Sequence, residues 1–138
     1  MSRTLHQYFD ARRASVALAR QFVVSTLSLW GINGEPAEDI RLCTSELVSN
    51  ALTHGTRAGH GILIRLSADD DYLRLEVHDS RDAAEHRPHV CHAGDTDTGG
   101  RGMSIVEALA DDWGVEDRDP SGKIVWSRFK TVTAAQSA

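Results

Sequence analysis

Apolar residues recur at three- and four-residue steps through the first part of the chain. Val16, Ala19, Val23, Leu27 and Trp30 follow that spacing between Ala11 and Trp30. It aligns them on one face of an α-helix and predicts that helix, with Gly31 as its stop. The stretch GEPAEDIRLCTSELVSNALTHG, from Gly34 to Gly55, repeats the pattern with Ile40, Cys43, Leu47, Val48, Ala51 and Leu52 as its apolar stripe. Pro36 lies near its first turn, Glu38 and Asp39 sit close to the positive end of the helix dipole, and Gly55 ends it. The period then changes to two. Ile62, Ile64 and Leu66 alternate, as do Leu73, Leu75 and Val77, with three aspartates between them as a turn. That pattern predicts a hairpin with one buried face.

A run of about twenty residues, DSRDAAEHRPHVCHAGDTDTGG, follows with few apolar positions and no usable period. A connection of that length in a small domain points to a functional loop or lid. Beyond it RGMSIVEALADDWG reads as a short helix stopped by Gly114, GKIVWSRFK as a closing strand, and TAAQSA as a frayed end. There is no internal repeat.

At 138 residues the chain is long enough to bury a core without staples, and one domain is the simplest organisation. With 41% hydrophobic residues, 25% charged residues and a net charge of -5, the composition is that of a soluble globular protein. Its 15 Lys and Arg are scattered among 20 acids, which argues against direct nucleic acid binding, because phosphate backbones are gripped by clustered cations. No stretch approaches the roughly 20 apolar residues of a membrane span, and the start has no signal-peptide core. A cytoplasmic location is the expectation. Cys43 and Cys91 do not make a disulfide framework, and Cys43 falls in the apolar stripe as a small core residue.

Three places concentrate polar chemistry. Glu46, Asn50 and His54 stand four residues apart and form a row along the second helix. Asn50 offers a neutral oxygen suited to Mg²⁺ when phosphate oxygens and waters complete the octahedron. Glu46, one turn away, can accept a proton as a general base. Asp79, where the second strand ends, is an acceptor-only carboxylate able to take the amino hydrogens of a base. TGGRGM, Thr98 to Met103, leads glycines into a helix, where backbone N–H groups converge on an anion. It lacks the Lys of a Walker A loop and the GxGxxG spacing of a dinucleotide fold. Taken singly, each also has an ordinary role: solvated helix residues, a strand-ending Asp, a tight turn and cap.

In the order SELVSNALTHG, LEVHD, a polar lid, TGGRGMSIVEALADDWGV and GKIVWSRF, the chain resembles the Bergerat-fold ATP-binding domain of the GHKL superfamily. Within it the chain is similar to the free-standing anti-sigma-factor serine/threonine kinases and their actinobacterial ATP-binding relatives, from about Ala11 to Phe129. The resemblance implies an α/β fold, an α+β two-layer sandwich whose mixed, mostly antiparallel sheet carries helices on one face. It implies a single domain over residues 1–138, with an ordered core of about 11–130 and a lid of about 80–100.

Carried over residue by residue, the resemblance makes Glu46 the catalytic base and Asn50 the Mg²⁺ ligand. Asp79 becomes the holder of the adenine amino group. Thr98, Gly99, Gly100, Arg101, Gly102 and Met103 become cofactor-binding, with Gly100 and Gly102 against the phosphates and Arg101 able to reach one as a bidentate donor. His54 joins the cofactor-binding set with its role open. ATP and Mg²⁺ are the implied cofactors. A sigma factor, an anti-anti-sigma antagonist, or both are the implied partners, with no nucleic acid, no membrane, and homodimerisation left open.

The chain departs from the superfamily after Asp79. A DxGxG pattern is usual there, whereas this sequence reads DSRDA with no glycine until Gly94. Two functions therefore stand side by side: a protein kinase that holds and phosphorylates a regulatory partner, and a non-catalytic ATP-dependent binding module. HRPHVCH, His86 to His92, adds a candidate metal site in the lid.

Overall fold

The computed structural model describes residues 2–89 and 101–131, with Arg101 and Gly102 described by their backbone alone. Its elements are β1 (Arg3–Phe9), α1 (Ser15–Leu29), α2 (Gly34–Asn50), a π-helical turn (Ala51–Gly55), β2 (Ile62–Ala68), β3 (Tyr72–Asp79), α3 (Arg101–Leu109), β4 (Asp112–Asp117) and β5 (Lys123–Lys130). The strands form one sheet in the order β1-β2-β3-β5-β4. Every pairing among them is antiparallel.

Register explains the core. Leu66 faces Leu75, Ile64 faces Val77, Val77 faces Val125 and Leu73 faces Phe129, so the period-two positions of three strands line one face of the sheet. The helices cover that face with Ala19, Val23 and Leu27 from α1, Ile40, Cys43, Leu47 and Val48 from α2, and Met103 and Val106 from α3. Burial pushes the Cys43 thiol up to about 12, in keeping with a packing role. The buried hydroxyls of Thr26 and Thr44 donate to the carbonyls of Phe22 and Ile40, at 2.8 and 2.7 Å, so neither is left unsatisfied. At the end of α1, Gly31 takes φ 73°. There Gly31 N–H bonds Ser28 O and Ile32 N–H bonds Leu27 O, a Schellman ending that only glycine adopts without strain.

Three expected boundaries change. The core begins before residue 11, because β1 pairs with β2 from Arg3 onward. The second helix stops at Asn50 and continues as the π-helical turn through Gly55. Gly114 does not stop a helix: α3 ends at Leu109 and Gly114 lies inside β4. A Cβ at Gly114 would stand 2.8 Å from the Trp126 ring on the neighbouring strand, so the glycine gives the indole room to lie across the sheet.

That outer face carries charge instead of helices. Arg74 lies over the Trp126 ring at 4.7 Å and Arg128 over Tyr72 at 4.8 Å. Arg74 donates to Glu76 at 2.7 Å, and His78 Nε2 lies 2.8 Å from the other Glu76 oxygen. These bonds, His78 first, hold the Glu76 carboxyl down at about 2 against an ordinary 4.5. A depressed carboxyl contributes stability above its unfolded value and loses that contribution as pH falls through its folded one. Glu76→Gln is therefore expected to be less stable than wild type by about 2–3 kcal/mol at neutral pH. The gap should close between pH 4.5 and 2, and urea unfolding of both proteins across that range measures it.

Among the described residues no helix is long and apolar enough to cross a membrane.

Candidate functional site

Glu46 and Asn50 lie one turn apart near the C-terminal end of α2, both half-buried. The α2 stripe buries Cys43, Leu47 and Val48, so a row offset from it lands at the margin of the core, where a side chain is shielded yet reachable. Among the described residues neither side chain has a hydrogen-bonding or ion-pairing partner. A carboxylate and a neutral amide oxygen one helical turn apart are donors able to hold a hydrated Mg²⁺.

After Asn50 the backbone widens into the π-helical turn. The step from Asn50 to His54 is no longer an α-helical turn, and the sequence row breaks there. The turn delivers Gly55 against β3, where a Cβ on Gly55 would collide with the Asp79 carboxylate. Asp79 therefore projects from the buried face of the sheet straight under the π turn.

The group that holds Asp79 was not among the expected site residues. Lys123, its cross-strand neighbour at the start of β5, donates from Nζ to Asp79 Oδ1 at 2.9 Å. Both side chains are 1% exposed. Lys123 also donates to Arg81 O at 3.1 Å. Burial pushes the Asp79 carboxyl up to about 6, with Lys123 opposing that rise. Gly122, at φ 91°, keeps its backbone close to Asp79 O, where any side chain would clash. One signal could have disclosed the lysine: Lys123, Val125, Ser127 and Phe129 alternate along β5, so Lys123 occupies a core-facing position that demands a buried partner.

The residues after Asp79 fold over it. Arg81 N–H donates to Gly55 O at 2.9 Å, Arg57 N–H to Ser80 Oγ at 2.6 Å, and Gly122 N–H to Asp82 Oδ1 at 2.6 Å. Arg57 pairs with Glu85. The His86 ring stacks on His54 with centroids 5.3 Å apart and planes 22° apart. Burial, aided by the positive charge of Lys123, holds the His86 imidazole below its ordinary range, and its Nδ1 is buried without a partner among the described residues. His54 thus meets an imidazole here.

Of the remaining expected site residues, Thr98, Gly99 and Gly100 lie outside the described residues, and Arg101 and Gly102 open α3. Met103, at 1% exposure, places its side chain in the apolar core. Of the HRPHVCH stretch, Cys91 and His92 lie outside the described residues, and among the described residues no cluster of three metal-ligating side chains occurs.

Residues 9–129 match the family described as the histidine kinase-like ATPase domain. The chain belongs to that family. This histidine kinase-like ATPase domain is 28% identical over 127 residues to the anti-sigma F factor of Clostridium acetobutylicum, covering 87% of this chain and 89% of that one. Its fold is shared with the crystal structure of the RsbU and RsbW domains of Rv1364c from Mycobacterium tuberculosis, at TM-score 0.69 and 21% identity. That match takes in 92% of this chain and 32% of the longer one. Membership makes an adenine nucleotide the expected ligand of this domain. Asp79, the acceptor the sequence analysis expects for a base, is engaged by Lys123.

Proposed function

We propose that the chain is an ATP-binding regulatory domain of the anti-sigma-factor type, one unit over residues 1–138, that phosphorylates a serine or threonine of a partner protein. Glu46 and Asn50 carry this proposal: they stand at the margin of α2 without partners among the described residues, in a chain that aligns along 87% of its length with an anti-sigma F factor. Asn50 would hold Mg²⁺, which when bound screens the phosphate charge. Glu46 would take the proton from the partner's hydroxyl as it attacks. Asp79 would receive the adenine amino group, and the Thr98–Gly102 stretch with Arg101 would line the phosphates. A sigma factor and an anti-anti-sigma antagonist are the proposed partners, in the cytoplasm.

The test is to offer purified protein ATP, Mg²⁺ and the partner it retains from host extract, and to look for phosphoserine or phosphothreonine on that partner. No phosphorylated residue on any retained partner would sink the kinase. A second function, an ATP-dependent binding module without phosphotransfer, is favoured by one observation: Asp79 is held by a buried lysine.

Asn50→Ala is expected to weaken binding of Mg-ATP by tenfold or more while leaving metal-free ATP within about threefold, since the lost oxygen serves the ion. Calorimetry with and without Mg²⁺ decides it, and an equal loss under both conditions would remove Asn50 from the metal.

A further inference from the structure

The polypeptide that follows β3 and covers Asp79 is fastened on two sides. On one side it holds the π turn, through Arg81 N–H on Gly55 O, Arg57 N–H on Ser80 Oγ, the Arg57–Glu85 ion pair and the His86 stack on His54. On the other it holds the start of β5, through Gly122 N–H on Asp82 Oδ1 and Lys123 Nζ on Arg81 O. Lys123 joins the two tasks, because the same ammonium that ties down Arg81 sits on the Asp79 carboxylate. The consequence is plain in the exposure of Asp79, whose side chain is 1% accessible. A base cannot donate to a carboxylate it cannot touch.

We propose that Lys123 and the Ser80–His86 segment form a built-in latch over Asp79, the proposed base acceptor, so that an adenine nucleotide binds only the fraction of molecules in which this latch is open. The inference rests on the ATP-binding proposal above and adds a residue that controls access to it. When a ligand binds one of two states, its apparent dissociation constant is the intrinsic one divided by the fraction of the competent state. Every tie that holds the latch shut therefore weakens ATP binding. Loosening the latch at points that touch neither Asp79 nor Lys123 should tighten it. A net hydrogen bond or a stacked ring pair corresponds to a factor of about 2–13 in such an equilibrium. Asp82, Glu85 and His86 are ties of this kind, lying outside the helices and strands.

The experiment combines Asp82→Ala, Glu85→Ala and His86→Ala in the full chain and measures ATP affinity by calorimetry, with amide hydrogen exchange at Arg81 and Gly122 in the nucleotide-free protein. His86→Ala alone serves as the milder variant and should move both readouts in the same direction. In the wild type the two amides should exchange slowly. In the triple variant they should exchange faster, and ATP should bind at least tenfold more tightly. Protected amides with ATP affinity unchanged or weakened in the variants would overturn the latch while leaving ATP binding intact. Unprotected amides in the wild type would overturn it as well. Absence of ATP binding in both wild type and variants, with the amides protected, would sink the ATP-binding proposal itself and the latch's effect on nucleotide with it.

Discussion

Lys123→Ala is expected to destabilise the protein by about 3–5 kcal/mol, a large share of the roughly 5–15 kcal/mol that holds a typical domain together. The substitution strands the Asp79 carboxylate in a site where both partners are 1% exposed. Breaking a buried pair from one side leaves a charge with neither water nor counter-ion. The lost aliphatic stem adds a cavity. Urea unfolding at pH 7 gives the value, and a loss below about 1 kcal/mol would mean that the pair is solvated in solution. The companion measurement is the double variant Asp79→Asn with Lys123→Met, which replaces both charges by groups of similar shape. It should recover most of the loss, since buried pairs exchanged together for neutral groups are often close to neutral. Asp79→Asn alone is consequently a poor probe of nucleotide binding: it would uncover the lysine and disturb the fold together with the site.

Glu46→Ala should lower phosphotransfer to the partner by about 10²–10⁴, while ATP affinity stays within a few-fold. A general base stabilises a proton in flight and contributes little to holding the ground-state nucleotide. Glu46 also has no hydrogen-bonding or ion-pairing partner among the described residues. Single-turnover transfer from ATP to the partner measures the rate, and calorimetry the affinity. Loss of both together would make Glu46 a binding residue, and loss of neither would make it a bystander.

The helices and the central hairpin were legible because their periodicities are set by burial on one side. Leu73, Leu75 and Val77 alternate because every second residue of β3 meets the helices. β1 was not legible for the converse reason. At the sheet edge it exposes all but Phe9, so selection for burial leaves no period in RTLHQYF. β4 was concealed by Gly114, which mimics a helix stop and in fact clears space for Trp126 on the adjacent strand. The positions of Glu46 and Asn50 along α2 followed from helical spacing. The Lys123–Asp79 pair spans 44 residues, and the His54–His86 stack joins the π turn to the segment after β3, which no local pattern relates. Contacts of that kind belong to register and topology, which a linear pattern does not encode.

The π-helical turn between Asn50 and Thr56 makes the length of this segment as strict a requirement as its composition. A π turn holds one residue more than the α turn it replaces. Deleting a single residue from Ala51–Thr53 would let the α-helical path run on through the segment, and each residue beyond the deletion would change its phase about the axis by about 100°. Gly55 would then be carried away from the Asp79 carboxylate that now rests against it, and a bulkier neighbour would be brought round in its place. In a comparison of natural variants, this short span should accept substitutions at exposed Thr53 yet admit neither insertion nor deletion.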